Sequence, residues 1–298
     1  MNTAANTWVK RLALTVLISQ IVIVVTGSLV RVTGSGLGCN TWPNCHEGSL
    51  VPVEGAAPWI HQLIEFGNRG LAVVLGFLVL GLLVAVYRAG RRRDIVLHAW
   101  YQFLGVLFQA VIGGISVRVN LQWWSVALHF LPSMLLVWLA ALLYVHVQSP
   151  DEGVDEWRYP RPLRGLTVGS ALALAGTLVT GTMVTGAGVH SGDKGIGMEG
   201  RLNVPIVEIS HIHAHFMYLY LGLTIGLVVA LYTVRASEKA RKLGALLIAL
   251  IVAQAGIGLI QYWFGIPSWT IPVHVGMSGI VTAYTALLYA AGRERVIA

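Results

Sequence analysis

The sequence predicts an all-α polytopic membrane protein whose eight transmembrane helices form two pseudo-symmetric four-helix bundles. Three observations lead to that fold class. Hydrophobic residues make up 56% of the chain and charged residues only 11%, whereas about a quarter of a soluble domain is charged. Apolar stretches of the length that spans a hydrocarbon core, about 20 residues, recur along the whole chain. The second half also repeats landmarks of the first at nearly constant spacing.

Taken in order, the apolar runs cover residues 11–31, 58–88, 96–118, 123–148, 163–186, 204–234, 241–262 and 267–291. The first follows Lys10 and Arg11 as the core of a signal peptide would. It is too long for one, has no small-residue cleavage pattern and precedes seven more runs, so it reads as a retained helix. Basic residues fix the orientation. Lys10 and Arg11, the run Arg88/Arg91/Arg92/Arg93, then Arg158/Arg161/Arg164, Arg235/Lys239/Arg241/Lys242 and Arg293/Arg295 all fall on one side, 15 of the 20 Lys and Arg. The positive-inside rule then puts both termini in the cytoplasm. This asymmetry accounts for the net charge of +7, so nothing calls for a nucleic-acid partner.

Between the first two runs lies the external loop Gly38-Cys39-Asn40-Thr41-Trp42-Pro43-Asn44-Cys45-His46, which holds the only two cysteines. On the oxidising side of a membrane, two close cysteines with no other partner predict a disulfide closing a short loop. A metal site of Cys39, Cys45 and His46 is the competing reading, and it lacks the fourth ligand of a structural site. The preceding Thr33-Gly34-Ser35-Gly36-Leu37-Gly38 is glycine-rich, but in a membrane chain with 34 glycines it reads as close backbone packing, not a nucleotide loop.

The second run opens with Trp59-Ile60-His61-Gln62-Leu63-Ile64-Glu65-Phe66-Gly67-Asn68-Arg69. Glu65 and Arg69 share one helix face at the head of an apolar run. They are either a mutually neutralising pair or part of a site, because ionisable groups inside a membrane are costly and mark function by default.

Gln109-Ala110-Val111-Ile112-Gly113 and Gln254-Ala255-Gly256-Ile257-Gly258 are separated by 145 residues, and the same offset carries Trp124 to Trp269 and His129 to His274. An offset of 154 carries Thr26-Gly27-Ser28-Leu29-Val30 to Thr180-Gly181-Thr182-Met183-Val184, and Gly34 to Gly188. The chain therefore divides into residues 1–150 and 151–298, two halves of equal orientation related by an axis along the membrane normal. The acidic Ser149–Glu156 stretch between them is expected to be a solvated linker.

Topology sorts the ten histidines. His98 and His146 fall at cytoplasmic helix ends, His46 and His190 in external loops, where interfacial or solvated roles are expected. His129 and His274 each lie a few residues into a helix that enters from outside, and His211, His213 and His215 lie at comparable depth in the sixth run. Histidines at one depth on facing helices can offer two imidazoles along the normal of a haem, so His274 and one histidine of the sixth run are the expected iron ligands. The 145-residue offset superposes His213 on Asn68, His211 on Phe66 and His215 on Gly70. That selects His213, with His211 and His215 as alternates. It also superposes Ser210 on Glu65. The second half has the histidine pair without the carboxylate; the first has the carboxylate with His129, and with His61 one turn before Glu65.

Three groups of residues make the chain resemble the haem A synthase family over nearly its full length. They are Thr33-Gly34-Ser35-Gly36-Leu37-Gly38-Cys39 followed by Trp42-Pro43-Asn44-Cys45, then Glu65-x-x-Asn68-Arg69, and His129, His213 and His274 within eight helices. The resemblance implies haem b held in the C-terminal half by His213 and His274. It further implies oxidation of the C8 methyl of a substrate haem O to a formyl group in the N-terminal half, with Glu65 as catalytic carboxylate and His129 as ligand of the substrate iron. Many members have histidine where this chain has Asn68, so the substrate iron is bound here either with His61 as second ligand or with an open position suited to oxygen chemistry. Arg69 is expected to pair with a haem propionate or with Glu65, and the disulfide to hold a lid over the substrate site, with a redox role as alternative.

The implied setting is the plasma membrane of a bacterium, in contact with lipid. Haem O synthase and an electron donor, quinol or other, are the implied partners, and an oligomer is compatible with them. The alternative is a di-haem b electron-transfer cytochrome linked to quinol. That function calls for histidine pairs in both halves, which Asn68 breaks.

Overall fold

The structure, a computed structural model, describes residues 3–189 and 200–297. His190 lies outside the described residues. The helices are α1 (Thr3–Val32), α2 (Trp59–Arg88), α3 (Arg93–Arg118), α4 (Trp123–His146), α5 (Arg161–Ala187), α6 (Ile206–Thr233), α7 (Glu238–Trp263) and α8 (Thr270–Ala290). Among the described residues these eight are long and apolar enough to cross a membrane. Each apolar run became a helix because a backbone in lipid must satisfy its own polar groups. The ends follow local chemistry. Pro58, Pro160 and Pro205 stand just before α2, α5 and α6, where a missing N–H costs nothing. Ser237 caps α7, accepting the Ala240 N–H at 3.2 Å.

Within the first half α1 packs on α2 and α4, and α3 on α2 and α4; in the second, α6 packs on α5 and α7, and α8 on α7 and α5. The halves meet through α1, α4, α5 and α8, with α4 and α8 packed together. Two apolar cores result. One joins Val9, Ala13 and Val16 of α1, Val79, Leu82 and Val86 of α2, Ile95 and Ala99 of α3, and Val137, Ala140 and Leu143 of α4. The other joins Leu163 of α5, Leu227 and Leu231 of α6, Leu247 and Ile251 of α7, and Val281 and Leu288 of α8.

Both cores lie mainly toward the end of the bundle that carries the basic residues. Toward the other end the packing changes. No residue is buried over 66–74 of α2, 103–113 of α3 and 128–133 of α4, nor over 210–219 of α6 and 252–263 of α7. These stretches contain Asn68, Gln109, His129, His213 and Gln254.

The expected solvated linker is largely exposed, and it also forms a structural clasp. β1 (Val154–Trp157) pairs antiparallel with β2 (Arg293–Val296), with Val154 opposite Val296 and Trp157 opposite Arg293. Arg295 bonds Asp155 at 3.1 Å and Arg158 bonds Glu294 at 2.6 Å. Asp151 accepts from Arg91 at 2.9 Å, and the buried Arg91 also donates to the Val147 and Ser149 carbonyls and to Asn6. The acidic stretch is ordered because basic C-terminal residues and an unpaired strand edge face it. Beside the clasp, Tyr159 donates to the Leu288 carbonyl, and burial pushes its phenol up to about 12, so it remains a donor at neutral pH.

Candidate functional site

In the first half, the loop after α1 folds back over the head of α2. Gly34 turns the chain with φ +69°, a conformation that needs no Cβ. Gly38 lies so close to α2 that a Cβ on it would fall 2.8 Å from Gln62 N. Cys39 and Cys45 are joined with S–S 2.02 Å, which leaves neither thiol for a metal. His46, expected in an interfacial or solvated role, is buried: its Nε2 meets Gln62 Oε1 at 2.8 Å and its Nδ1 meets Asn40 Oδ1 at 3.1 Å. Gln62 also donates to the Val53 and Ala57 carbonyls and accepts from Val53 N–H, so this one side chain ties the loop to α2. On the other flank Trp42 packs on Gly114 of α3, and Arg118 donates to the Trp42 carbonyl at 3.1 Å.

Glu65 and Arg69 do pair, at 2.6 Å, and both reach into this loop. Arg69 donates to the carbonyls of Thr41 (3.0 Å), Asn44 (3.0 Å) and Cys39 (2.9 Å). The second oxygen of Glu65 accepts the Cys39 N–H at 2.7 Å. The carboxylate is therefore aligned from both sides, by a guanidinium and by the main chain of a disulfide cysteine. His61 points into the loop as well, its Nδ1 2.8 Å from Ser35 Oγ. No hydrogen bond joins His61, Glu65 or Arg69 to His129 among the described residues.

The repeat seen in the sequence recurs as geometry. In the second half His213 Nδ1 lies 3.0 Å from the Thr177 carbonyl and 3.2 Å from Thr180 Oγ1. A carbonyl only accepts, so Nδ1 carries the proton and Nε2 presents its lone pair. In the first half Thr26, the repeat partner of Thr180, donates to Asn68 Oδ1 at 2.8 Å. Threonine thus orients the residue at this position in both halves, an imidazole in one and an amide in the other. Of the alternates, His211 and His215 are exposed, and His211 lies 3.4 Å from Tyr262 Oη.

His213 and His274 stand on α6 and α8, which lie diagonally with α5 and α7 between them. Two histidines on opposite helices of one four-helix half, with His213 Nε2 left free by the bond its Nδ1 makes, are a donor set that fits an iron. His129 occupies the corresponding place in the first half.

Glycines make room for these rings. A Cβ would fall 3.3 Å from His129 Cε1 at Gly113, 3.5 Å from His274 Cε1 at Gly258 and 3.2 Å from His213 Cε1 at Gly181, whereas at Gly27, the repeat partner of Gly181 in the first half, it would meet nothing within 4 Å. Gly27→Ala is accordingly expected to raise the thermal unfolding midpoint of the purified protein, since alanine is favoured over glycine inside a helix by about 0.5–1 kcal/mol. Gly181→Ala is expected to lower it, because overpacking against His213 costs about 1–3 kcal/mol and outweighs that gain. Equal shifts in one direction would show that the imidazole does not fill this slot.

The sequence profile of the COX15-CtaA family, described as cytochrome oxidase assembly protein, matches residues 10–286. Among curated relatives, a protein named heme A synthase from Exiguobacterium sibiricum is 30% identical over 174 residues, covering 57% of this chain and 57% of that protein. Proteins of the same name from Lysinibacillus sphaericus and Staphylococcus aureus are 33% and 31% identical over 50% and 53% of this chain, and 48% and 52% of their own. The chain spans about half the length of the curated relatives it matches.

Proposed function

Because the chain belongs to the COX15-CtaA family of cytochrome oxidase assembly proteins, we propose that it is a haem A synthase. It oxidises the C8 methyl of haem O to a formyl group in a bacterial plasma membrane, with its basic end and both termini in the cytoplasm. The observation that carries this reading is the broken symmetry of the two halves. Three of four repeat-related positions hold histidines, His129, His213 and His274, while the fourth holds Asn68 one turn from the aligned carboxylate of Glu65.

The second half holds haem b between His213 and His274. A haem b bound there supplies single electrons. The resident chemistry of the first half belongs to the chain's own side chains. His129 would hold the substrate iron, and Asn68, whose side-chain oxygen accepts from Thr26, would offer it no second imidazole. Glu65 enters as a carboxylate pre-aligned by Arg69 and Cys39 N–H, placed to relay protons or to stabilise positive charge developing on the carbon being oxidised. The disulfide loop, tied to α2 through Gln62, His46, His61 and Arg69 and to α3 through Trp42, shields that half from water. Haem O synthase delivers the substrate, and a quinol or other donor reduces haem b.

The test is the haem content of protein purified from a host that makes haem O. Extraction and chromatography are expected to give haem B together with haem O or haem A, with haem A accumulating under air. Haem B alone, with no conversion of added haem O, would overturn this reading in favour of an electron-transfer cytochrome.

A further inference from the structure

Four buried atoms outside the site's hydrogen-bond network are related by the repeat. Gln109 Nε2 donates to the His129 carbonyl at 2.9 Å, and Gln254 Nε2 donates to the His274 carbonyl, also at 2.9 Å. In both halves the glutamine's Oε1 is buried without a partner, and so is the histidine's Nδ1. A buried polar atom left unpaired costs about 1–3 kcal/mol. An unpartnered acceptor and an unpartnered ring nitrogen on two residues already joined through the main chain, twice, at positions 145 residues apart, form a matched set and not two accidents.

The rings lie against the helices that carry the glutamines. Gly113 and Gly258 lie one turn along the same helices from Gln109 and Gln254, and the imidazole Cε1 atoms face them at 3.3 and 3.5 Å from where a Cβ would stand. Cε1 is bonded to both ring nitrogens, so each imidazole lies edge-on to the helix that carries the glutamine; at Gly113, Nε2 and Nδ1 of His129 are nearly equidistant, 3.8 and 3.9 Å from where the Cβ would stand.

We infer that Gln254 and Gln109 are positioning residues for His274 and His129. Each anchors its histidine's main chain through Nε2 and offers Oε1 to the imidazole Nδ1–H, so that Nε2 faces iron as a neutral, electron-rich ligand. This inference rests on the haem reading above. Iron-ligating histidines typically donate their other N–H to an oxygen, which fixes the ring and raises its basicity. For His213 the Thr177 carbonyl already does this; the glutamines supply the same amide-type acceptor where helix carbonyls are out of reach. In the first half Gln109 Nε2 is held further by Ser133 Oγ at 2.6 Å, whereas the counterpart Ser278 turns to the Val275 carbonyl at 2.7 Å. Gln254 is therefore the less constrained of the two.

The test is a redox titration, with optical and electron paramagnetic resonance detection, of the full-length haem-loaded protein and two variants. Gln254→Leu removes the acceptor and is expected to raise the midpoint potential of the b-type haem and to weaken haem retention roughly tenfold. A tenfold loss of ferric over ferrous preference reads as about 59 mV for one electron. Gln254→Glu places a stronger acceptor at Nδ1–H and is expected to shift the potential the opposite way. A purely structural prop would move both variants in the same direction. Shifts of the same sign, or wild-type potentials and g values in both, would overturn the inference while the b-type haem itself upheld the haem reading. A wild-type protein without b-type haem would overturn both.

Discussion

Glu65→Gln is expected to abolish haem A formation, a loss of at least about 100-fold, while the b-type signal of the second half persists. Glutamine keeps the length of the side chain, and its oxygen still accepts the Cys39 N–H that the carboxylate accepts at 2.7 Å. What disappears is the negative charge. If Glu65 only braces the disulfide loop, Arg69 retains its three bonds to the carbonyls of Thr41, Asn44 and Cys39. The cost is then one charge-assisted hydrogen bond, about 1.5–3 kcal/mol of stability. Activity would survive in whatever protein folds. A carboxylate that takes a proton or faces developing positive charge contributes about 100- to 10,000-fold to rate, and glutamine can do neither. The measurement is the ratio of haem A to haem O extracted from variant and wild type expressed at equal level with equal haem B content. An unchanged ratio would reduce Glu65 and Arg69 to a loop anchor. Glu65→Ala is less diagnostic, because it also frees the Cys39 N–H and so confounds chemistry with the loop.

How much of this was legible in the sequence differs by level. The helices were, because each is a long apolar run with nowhere to satisfy its backbone but itself. The clasp was not, since Val154–Trp157 and Arg293–Val296 are four-residue polar strands without an alternating pattern, and only their proximity makes them a sheet. Within the site, the repeat alone singled out His213 among three histidines and matched it to Asn68; the structure adds the reason that the match is chemical, the threonines Thr26 and Thr180. His46, expected in an interfacial or solvated role, is buried, and nothing in its own neighbourhood reveals that the loop folds back onto α2. The available signal was Gln62, a polar residue at the head of an apolar helix that needed partners. The glutamines of the repeat served as landmarks of register, and their bonds to the histidine carbonyls became visible only once α3 met α4 and α7 met α8.

His274→Ala is expected to remove the low-spin b-type absorption completely, and His129→Ala to leave it intact. The contrast follows from where the structure spends its packing. The apolar cores lie mainly toward the basic end, at Leu82, Ile95 and Leu143 in one half and Leu231, Leu247 and Leu288 in the other. Truncating a partly exposed histidine toward the opposite end therefore leaves those contacts in place, and the variant is expected to fold. His213 alone, oriented by Thr177 and Thr180, gives at most a five-coordinate, high-spin centre, with haem retention reduced roughly 10- to 100-fold or more. If, as proposed, electrons reach the first half through the second, His274→Ala should also stop haem A formation, although the aligned Glu65 and its loop are untouched. His129→Ala should stop it with the b-type spectrum unchanged. The pair of variants thus separates the two halves by spectrum while giving the same loss of product. Persistence of the low-spin signal in His274→Ala would move the ligand to another histidine, and loss of that signal in His129→Ala would place the haem across the halves instead of within the second.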